Sequence, residues 1–306
     1  MLAFFLVRLR LAALVLFVVS LFAFGLLKLS GGDLATTLAG ENATAEYVQF
    51  LRTQYGWDRP ILEQYFVWLG HVLSGDLGKS FYFGGSVTTI ILDRLPVTVT
   101  LGTMAVLLAL SVSVPLGVVA AVRPGSWIDR LVQAFALGGQ AMPTFWLSFL
   151  LILFLGINLQ LFPISGAGSL AHYVMPAMAL GYAASPAFVR IVRGGMIDAL
   201  AADYVRTARA KGLGMGKILF KHALKNALVP LVSVAAVQFG FMLGGSVVIE
   251  TVFAMNGLGY LAWESITQSD YPVVQAIVLT VSVFYVLLTL ASDLLNAYID
   301  PRIRLR

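Results

Sequence analysis

The chain has 306 residues and a net charge of +5; it is 59% hydrophobic and only 11% charged. Soluble domains carry about 25% charged residues, so a surface of ordinary polarity in water is excluded, and the hydrophobicity excludes intrinsic disorder. The absence of cysteine excludes disulfides, thiolate nucleophiles and cysteine metal sites.

A helix needs roughly 20 mostly apolar residues to cross the hydrocarbon core. Six stretches qualify, at 9–29, 97–122, 131–156, 172–192, 227–249 and 273–297. The first follows Arg8 and Arg10. Its apolar run from Leu11 to Leu27 is longer than a secretory h-region of about 7–15 residues, which favours a retained signal anchor. Residues 30–95 then form an outer segment. Asp58 and Pro60 signal a helix start there and Gly75 a stop. Between them Leu62, Tyr65, Phe66, Leu69, Val72 and Leu73 recur at helical spacing. Trp57, Trp68, Tyr55 and Tyr82 are rings suited to a membrane interface. A helix on the outer surface is expected, with packing against the bundle as the alternative. The fourth span is the weakest, because it holds Pro176 and Pro186. Those prolines, with Pro115, Pro143 and Pro230, are tolerable where neighbouring helices satisfy the freed carbonyls, so a packed bundle is expected.

Lysine and arginine in the connections set the orientation. With the N-terminus inside, the cytosolic side holds Arg8, Arg10, Arg123, Arg130, the basic residues from Arg190 to Lys225, and Arg302, Arg304 and Arg306. The outside keeps only Lys28, Arg52, Arg59, Lys79 and Arg94, with most of the acids, among them Asp33, Glu41, Glu250 and Asp270. Both termini are therefore expected in the cytosol.

The longest cytosolic connection contains "DYVRTARAKGLGMGKILFKHALKNALVP", from Asp203 to Pro230. A first helix is expected from about Asp198 to Lys211, with Leu200, Tyr204 and Ala208 on one face. Lys211 and Gly212 form its C-terminal signal, and Gly212, Gly214 and Gly216 a joint from which Leu213 and Met215 project. The second helix carries Lys217, Lys221 and Lys225 as a basic stripe and Leu219, Ala223 and Ala227 as an apolar face, and leads straight into the fifth span. Anchoring on anionic lipid needs only the lysines. A short helix, a glycine joint and a helix continuous with a span suit a handle in a partner's groove.

"GLGMGK" is not a phosphate-binding loop. That motif needs G-x-x-x-x-G-K-[ST] between a strand and a helix, and Ile218 stands where Ser or Thr is required. An intramembrane enzyme would need converging acids, an activated serine or a metal cluster, whereas His71, His172 and His222 are scattered along the chain. Asp293, near the inner end of the last span, is expected to reach water or a nearby cation. Gly240, Gly244, Gly245 and Ser246 give the fifth span a small-residue face, for tight packing or pore lining. A self-contained channel or secondary transporter is a weaker rival, because repeated halves and midplane charges do not occur.

The basic stretch resembles the cytosolic coupling motif of type I ABC importer permeases, in the peptide/nickel branch. "YVRTARAKG" and "KHALKNALVP" carry the likeness, as do "GWDRPILEQYFVWLGHVLSGDLGKS", "RLPVTVTLG", "GGSVVIETVF", "GLGYL", "SDYPVVQA" and "IDPRIR". Where the family places a Glu-Ala-Ala triplet six residues before a glycine, this chain has Arg206-Thr207-Ala208 before Gly212. Asn256 stands where the family usually has proline.

The resemblance implies an all-α membrane protein with six transmembrane helices in a bacterial-type plasma membrane, itself non-catalytic. It divides as 1–94, an N-terminal helix with an outer segment, 95–298, the transport domain, and 299–306, a cytosolic tail. It implies a homologous second permease, two cytosolic ATPases that bind ATP and Mg, and an extracytoplasmic solute-binding protein. The chain itself binds no cofactor or metal, and no nucleic acid. Asp203, Tyr204, Arg206, Thr207, Ala208, Arg209, Lys211, Gly212 and Leu213 would enter the ATPase groove, with Arg209 and Lys211 meeting acids and Ala208 permitting close approach. Short peptides are the expected cargo; nickel chelates, glutathione and oligosaccharides remain open.

Overall fold

A computed structural model describes residues 2–29, 34–40 and 43–299. The tail from 300 onwards, with Arg302, Arg304 and Arg306, lies outside the described residues, as do Asp33 and Glu41. The described residues are almost entirely helical, with one isolated antiparallel bridge between Lys79 and Ser86.

In chain order the helices are α1 (Leu2–Leu29), α2 (Leu34–Ala39), α3 (Ala45–Gln54), α4 (Ile61–Leu73), α5 (Val87–Val122), α6 (Trp127–Ala141) and α7 (Thr144–Leu151). A widened π turn, Ile152–Asn158, extends α7. Then come α8 (Leu170–Ala201), α9 (Asp203–Ala210) and α10 (Met215–Lys217), which runs through a second π turn, Ile218–Ala223, into α11 (Leu224–Ala227). α12 (Val229–Gly245), α13 (Val247–Val252), α14 (Leu258–Thr267) and α15 (Tyr271–Ile299) complete the chain.

Four helices, α1, α5, α8 and α15, are long and apolar enough to cross a membrane unbroken. The third and fifth expected spans are bent instead. α6 and α7 meet at 104°, where Met142 is extended and Pro143 stands as the N-cap of α7; proline cannot donate the bond that would continue α6. The helix from Met215 to Ala227 meets α12 at 53°, so the expected unbroken run from the basic stretch into the fifth span is corrected to a bend at Leu228. Counting each bent pair once gives six spans.

The fourth span, weakest by composition, is the hub. Its most apolar window is 61% buried, more than that of any other unbroken span. A helix that touches other helices rather than lipid packs through small residues, which lowers its hydropathy. At Gly181 a β-carbon would lie 2.6 Å from the Ala105 carbonyl oxygen, so α5 and α8 pack at backbone contact there. Pro176 and Pro186 sit inside α8 without breaking it. The core around this crossing gathers Leu101, Met175, Phe188, Val192, Met196 and Ile249.

α5 begins at Val87, ten residues before the expected start of its span, and runs unbroken through 94 and 95. Its 36 residues measure about 54 Å at 1.5 Å per residue, well beyond the hydrocarbon thickness, so its first turns stand outside the membrane. There Val87 and Ile91 join Leu258, Leu261 and Val273 in a second core. Asp270, fully buried, accepts from Ser80 Oγ and from the Phe81 and Tyr82 N–H groups, which ties the outer segment to the start of α15.

The outer helix appears at Ile61–Leu73, with Gly75 in the left-handed region just beyond it. One face packs against the bundle, the alternative setting, and the other is exposed. Tyr65 is buried, its hydroxyl 2.7 Å from Ser20 Oγ of α1 and its ring edge-on to Phe17 and Phe24. Leu62, Phe66 and Leu73 point away from the bundle. α2 and α3 were not legible in the sequence. At the cytosolic end Asp293 meets a cation as expected, Arg8 of α1 at 3.1 Å.

Candidate functional site

The basic stretch folds as two short limbs separated by a glycine. α8 ends at Ala201, and Ala202 adopts an extended conformation (φ −70°, ψ 152°) before α9 begins at Asp203. The expected single helix from 198 to 211 is therefore corrected to the last turn of α8 followed by an independent α9. α9 ends in a Schellman motif: Gly212 N–H donates to the Arg209 carbonyl at 2.9 Å and Leu213 N–H to that of Ala208 at 3.2 Å. Gly212 has φ +74°, where a side chain is strained and glycine is not.

This geometry sorts the predicted coupling residues into two groups. Asp203, Tyr204, Arg206, Thr207, Arg209, Lys211 and Gly212 are exposed. Ala208 and Leu213 turn the other way and pack with Val205, Ile218 and Leu200 in a small core of their own. The small side chain at 208 thus brings α9 against the following helix of its own chain. Tyr204 is also not on the Ala208 face: it is exposed and accepts a hydrogen bond from Asn226 Nδ2 of α11 at 3.0 Å. Arg206 lies 3.4 Å from Asp203, both highly exposed, while Arg209 and Lys211 make no ion pair among the described residues. Lys217, Lys221 and Lys225 are exposed, and Ala223 and Ala227 are buried, as the expected stripe and face require. Ala227 touches α8 at Gly195, where a β-carbon would lie 3.1 Å away.

One constellation above this surface was missed. Arg193 of α8 clamps Asp129 of α6 in both directions, Nε to Oδ1 and Nη2 to Oδ2, each at 2.7 Å. Asp129 is 1% exposed and also accepts from Gln133 Nε2 and the Gly125 N–H. The available signal was an acid in an otherwise basic connection, a short way from Arg123 and Arg130.

The small-residue face of the fifth span divides. Gly240 packs under the Tyr285 ring of α15, where a β-carbon would lie 2.1 Å from the ring. Gly244 and Gly245 are exposed, with nothing within 4 Å of a β-carbon. Ser246 is buried and donates to Glu250 Oε1 at 2.8 Å. The histidines do not converge: His71 faces Asp76, His172 closes a capping box with Ser169, and His222 offers its carbonyl to Asn226. No cluster of three or more His, Asp or Glu side chains that could hold a metal occurs among the described residues.

The described residues thus form a multi-pass helical membrane bundle with a short helix set off in its longest cytosolic connection. Residues 113–305 match the family described as "Binding-protein-dependent transport system inner membrane component", and residues 1–102 match its N-terminal companion. The chain belongs to this family of bacterial inner-membrane proteins. It is the non-catalytic permease subunit of an ABC importer.

Among its relatives, the glutathione transport system permease protein GsiC of Escherichia coli K12 is 38% identical over 94% of both chains. A probable peptide ABC transporter permease of Sinorhizobium fredii is 37% identical over 95% of both. The dipeptide transport system permease protein DppB of Lactococcus lactis is 36% identical over the full length of both. The methionine ABC transporter MetNI, solved in an inward-facing conformation, shares the fold with a TM-score of 0.60 at 19% identity, covering 69% of this chain and 96% of that one.

Proposed function

We propose that this permease forms half of a translocation pathway for short peptides. In this reading α9 and the Gly212 turn are the handle by which cytosolic ATPases drive it. The observation that carries the handle is the isolation of α9. An extended residue at 202 and a left-handed glycine at 212 bound it, and its polar face is exposed while its apolar face is used up inside the chain. A rigid, separately hinged helix with a free polar face is what a partner's groove needs to push a bundle as a body.

The remaining partners are a second, homologous permease, two ATPases that bind ATP and Mg, and an extracytoplasmic solute-binding protein. Asp203, Tyr204, Arg206, Thr207, Arg209 and Lys211 would meet the ATPase, while Ala208 and Leu213 brace the helix from behind. Gly244 and Gly245 are candidates for the pathway or the second permease, since their faces are open. The division at 1–94, 95–298 and 299–306 is kept as a functional one, the middle unit carrying the pathway. Peptide as cargo rests on the relatives, whose names share that chemistry: peptide, dipeptide and glutathione, itself a tripeptide.

Mild-detergent purification of the tagged chain from its host, read by native mass spectrometry, tests the assembly. Recovery with a second permease and two ATPases is expected. The chain alone, under conditions that keep other importers intact, would overturn it. Uptake of labelled dipeptide and tripeptide, competed with nickel chelates and oligosaccharides, tests the cargo.

A further inference from the structure

The cytosolic helices leave one feature of the outer end unexplained, an exposed apolar stripe on α4. Leu62, Phe66, Leu69 and Leu73 follow one another at intervals of four, three and four residues, which puts them on one face of a helix. Leu62 is 70% exposed, Phe66 63% and Leu73 80%, while Leu69 is half-buried. A contiguous apolar stripe of this kind marks a surface that something covers.

Depth in the bilayer indicates what covers it. The Tyr65 hydroxyl lies 2.7 Å from Ser20 Oγ and its ring is edge-on to Phe17 and Phe24, and the Trp68 and Phe24 rings are 5.6 Å apart. These partners all belong to the apolar span Phe5–Leu26 of α1. Ser20 is six residues before the outer end of that span, about 9 Å along the axis at 1.5 Å per residue. α15 fixes the same boundary: Gln275 Nε2 donates to the Ala23 carbonyl one turn after α15 begins at Tyr271. α4 therefore sits where hydrocarbon gives way to headgroups. At that level amphipathic helices bury one face by roughly 5–10 Å.

The other faces of α4 fit this seat. Successive residues turn by about 100° at 3.6 residues per turn, so the stripe lies roughly a quarter-turn round from Tyr65 and Trp68. Glu63 and His71 fall on the remaining side, where they face Arg59 and Asp76. A cavity of about 600 Å³ opens on that side, lined by Gln64, Val67 and His71 with Trp57, Lys79 and Pro272. At the depth of Ser20, α1 also turns apolar side chains outward, at Val18, Leu21 and Phe22, so the stripe extends a surface that already faces lipid.

We propose that α4 is an interfacial helix of the outer leaflet: phospholipid acyl chains cover Leu62, Phe66, Leu69 and Leu73, and the helix stands between them and the polar-lined cavity. The outer segment is then anchored in the leaflet rather than raised above it. This requires only that α1 spans the membrane, and it is independent of the cargo and of the coupling role of α9.

The chain has no cysteine, so one introduced cysteine carries one fluorophore. Leu62→Cys, Phe66→Cys and, on the other side of the helix, Glu63→Cys are each labelled with an environment-sensitive probe in the full chain, reconstituted in phosphatidylcholine nanodiscs. All three replace exposed side chains, so position is tested rather than folding. Lipid spin-labelled near the top of the acyl chain quenches from the bilayer, and iodide quenches from water. Emission at 62 and 66 should be blue-shifted, lost to the spin label and little changed by iodide, and at 63 the order should reverse. Equal quenching by iodide at all three positions overturns the proposal, because the stripe would then stand in water. Quenching at 62 and 66 by neither agent overturns it too, because protein would then cover the stripe, as a second copy of the chain in the same disc would. Strong quenching by the spin label at all three would sink the whole helix in the acyl layer and overturn it likewise.

Discussion

Asp129→Asn tests the buried clamp between α6 and α8 with almost no change of volume. The amide keeps one acceptor oxygen but turns an N–H₂ group toward the Arg193 guanidinium, so one of the two 2.7 Å bonds is lost and the cation loses its counter-charge. Breaking a buried pair by removing one partner costs about 3–5 kcal/mol. Arg193 is 26% exposed and can turn partly toward water, which places the cost near the lower end, about 3 kcal/mol. At roughly 2–4 °C per kcal/mol for a chain of this size, the melting temperature of the purified protein should fall by about 6–12 °C. Asp129→Leu combined with Arg193→Met removes both charges together and should recover most of the loss, since an apolar pair of similar volume is often neutral. A double-mutant cycle read by thermal melting isolates the coupling. An Asp129→Asn variant that melts with the wild type, or a double variant that melts no better than the worse single, would refute the account of this pair as a desolvated clamp.

Gly212→Pro removes the N–H that bonds to Arg209 and cannot adopt φ +74°. Peptide uptake should fall at least about tenfold for a structural cost of that order, while membrane insertion, read by protease protection, is unchanged. Ala208→Trp forces a ring into the contacts with Val205, Ile218 and Leu213; overpacking of about 1–3 kcal/mol should tilt α9 and weaken ATPase co-purification. Gly240→Ala meets the Tyr285 ring at 2.1 Å and should lower the melting temperature. Gly244→Ala and Gly245→Ala enter open space and should leave the melt intact, so any loss of uptake there reports the pathway or the partner permease.

Much of the architecture was legible because the bilayer imposes it. Spans must be long and apolar, and the charge asymmetry around them orients the chain. What could not be read was where helices touch one another. Hydropathy measures preference for lipid, and α8 prefers helices, so the most central span looked the least certain. The bend at Pro143 was equally opaque: prolines 115, 176 and 186 sit inside continuous helices, and only packing decides which proline breaks one. The polar clasps escaped for the same reason. Asp129 and Arg193 are 64 residues apart, and Thr98 and Glu250 are 152 apart, so no local pattern joins them. Glu250, read as an outer acid, is among the most deeply buried side chains in the bundle.

The proposed coupling helix shows how spacing alone can misassign a face. Spacing alone put Tyr204 and Ala208 together, as four residues on one helix require. That argument assumed one helix from 198 onward, whose apolar face would be free for a partner. The break at Ala202 gives α9 its own axis, and the Schellman turn brings Leu213 back to cover Ala208 and Val205. With its apolar side consumed, α9 has little but polar and charged groups left to offer. Among the described residues its ion pair is Arg206 with Asp203, which is highly exposed and holds neither charge strongly. If α9 is the coupling handle, docking on such a surface would draw its specificity and approach rate from charge complementarity rather than from buried apolar area. Arg206 therefore presents a positive charge on the exposed face of α9 where the family's motif has a glutamate, and on the proposed coupling role it would change the sign of the charge a partner meets.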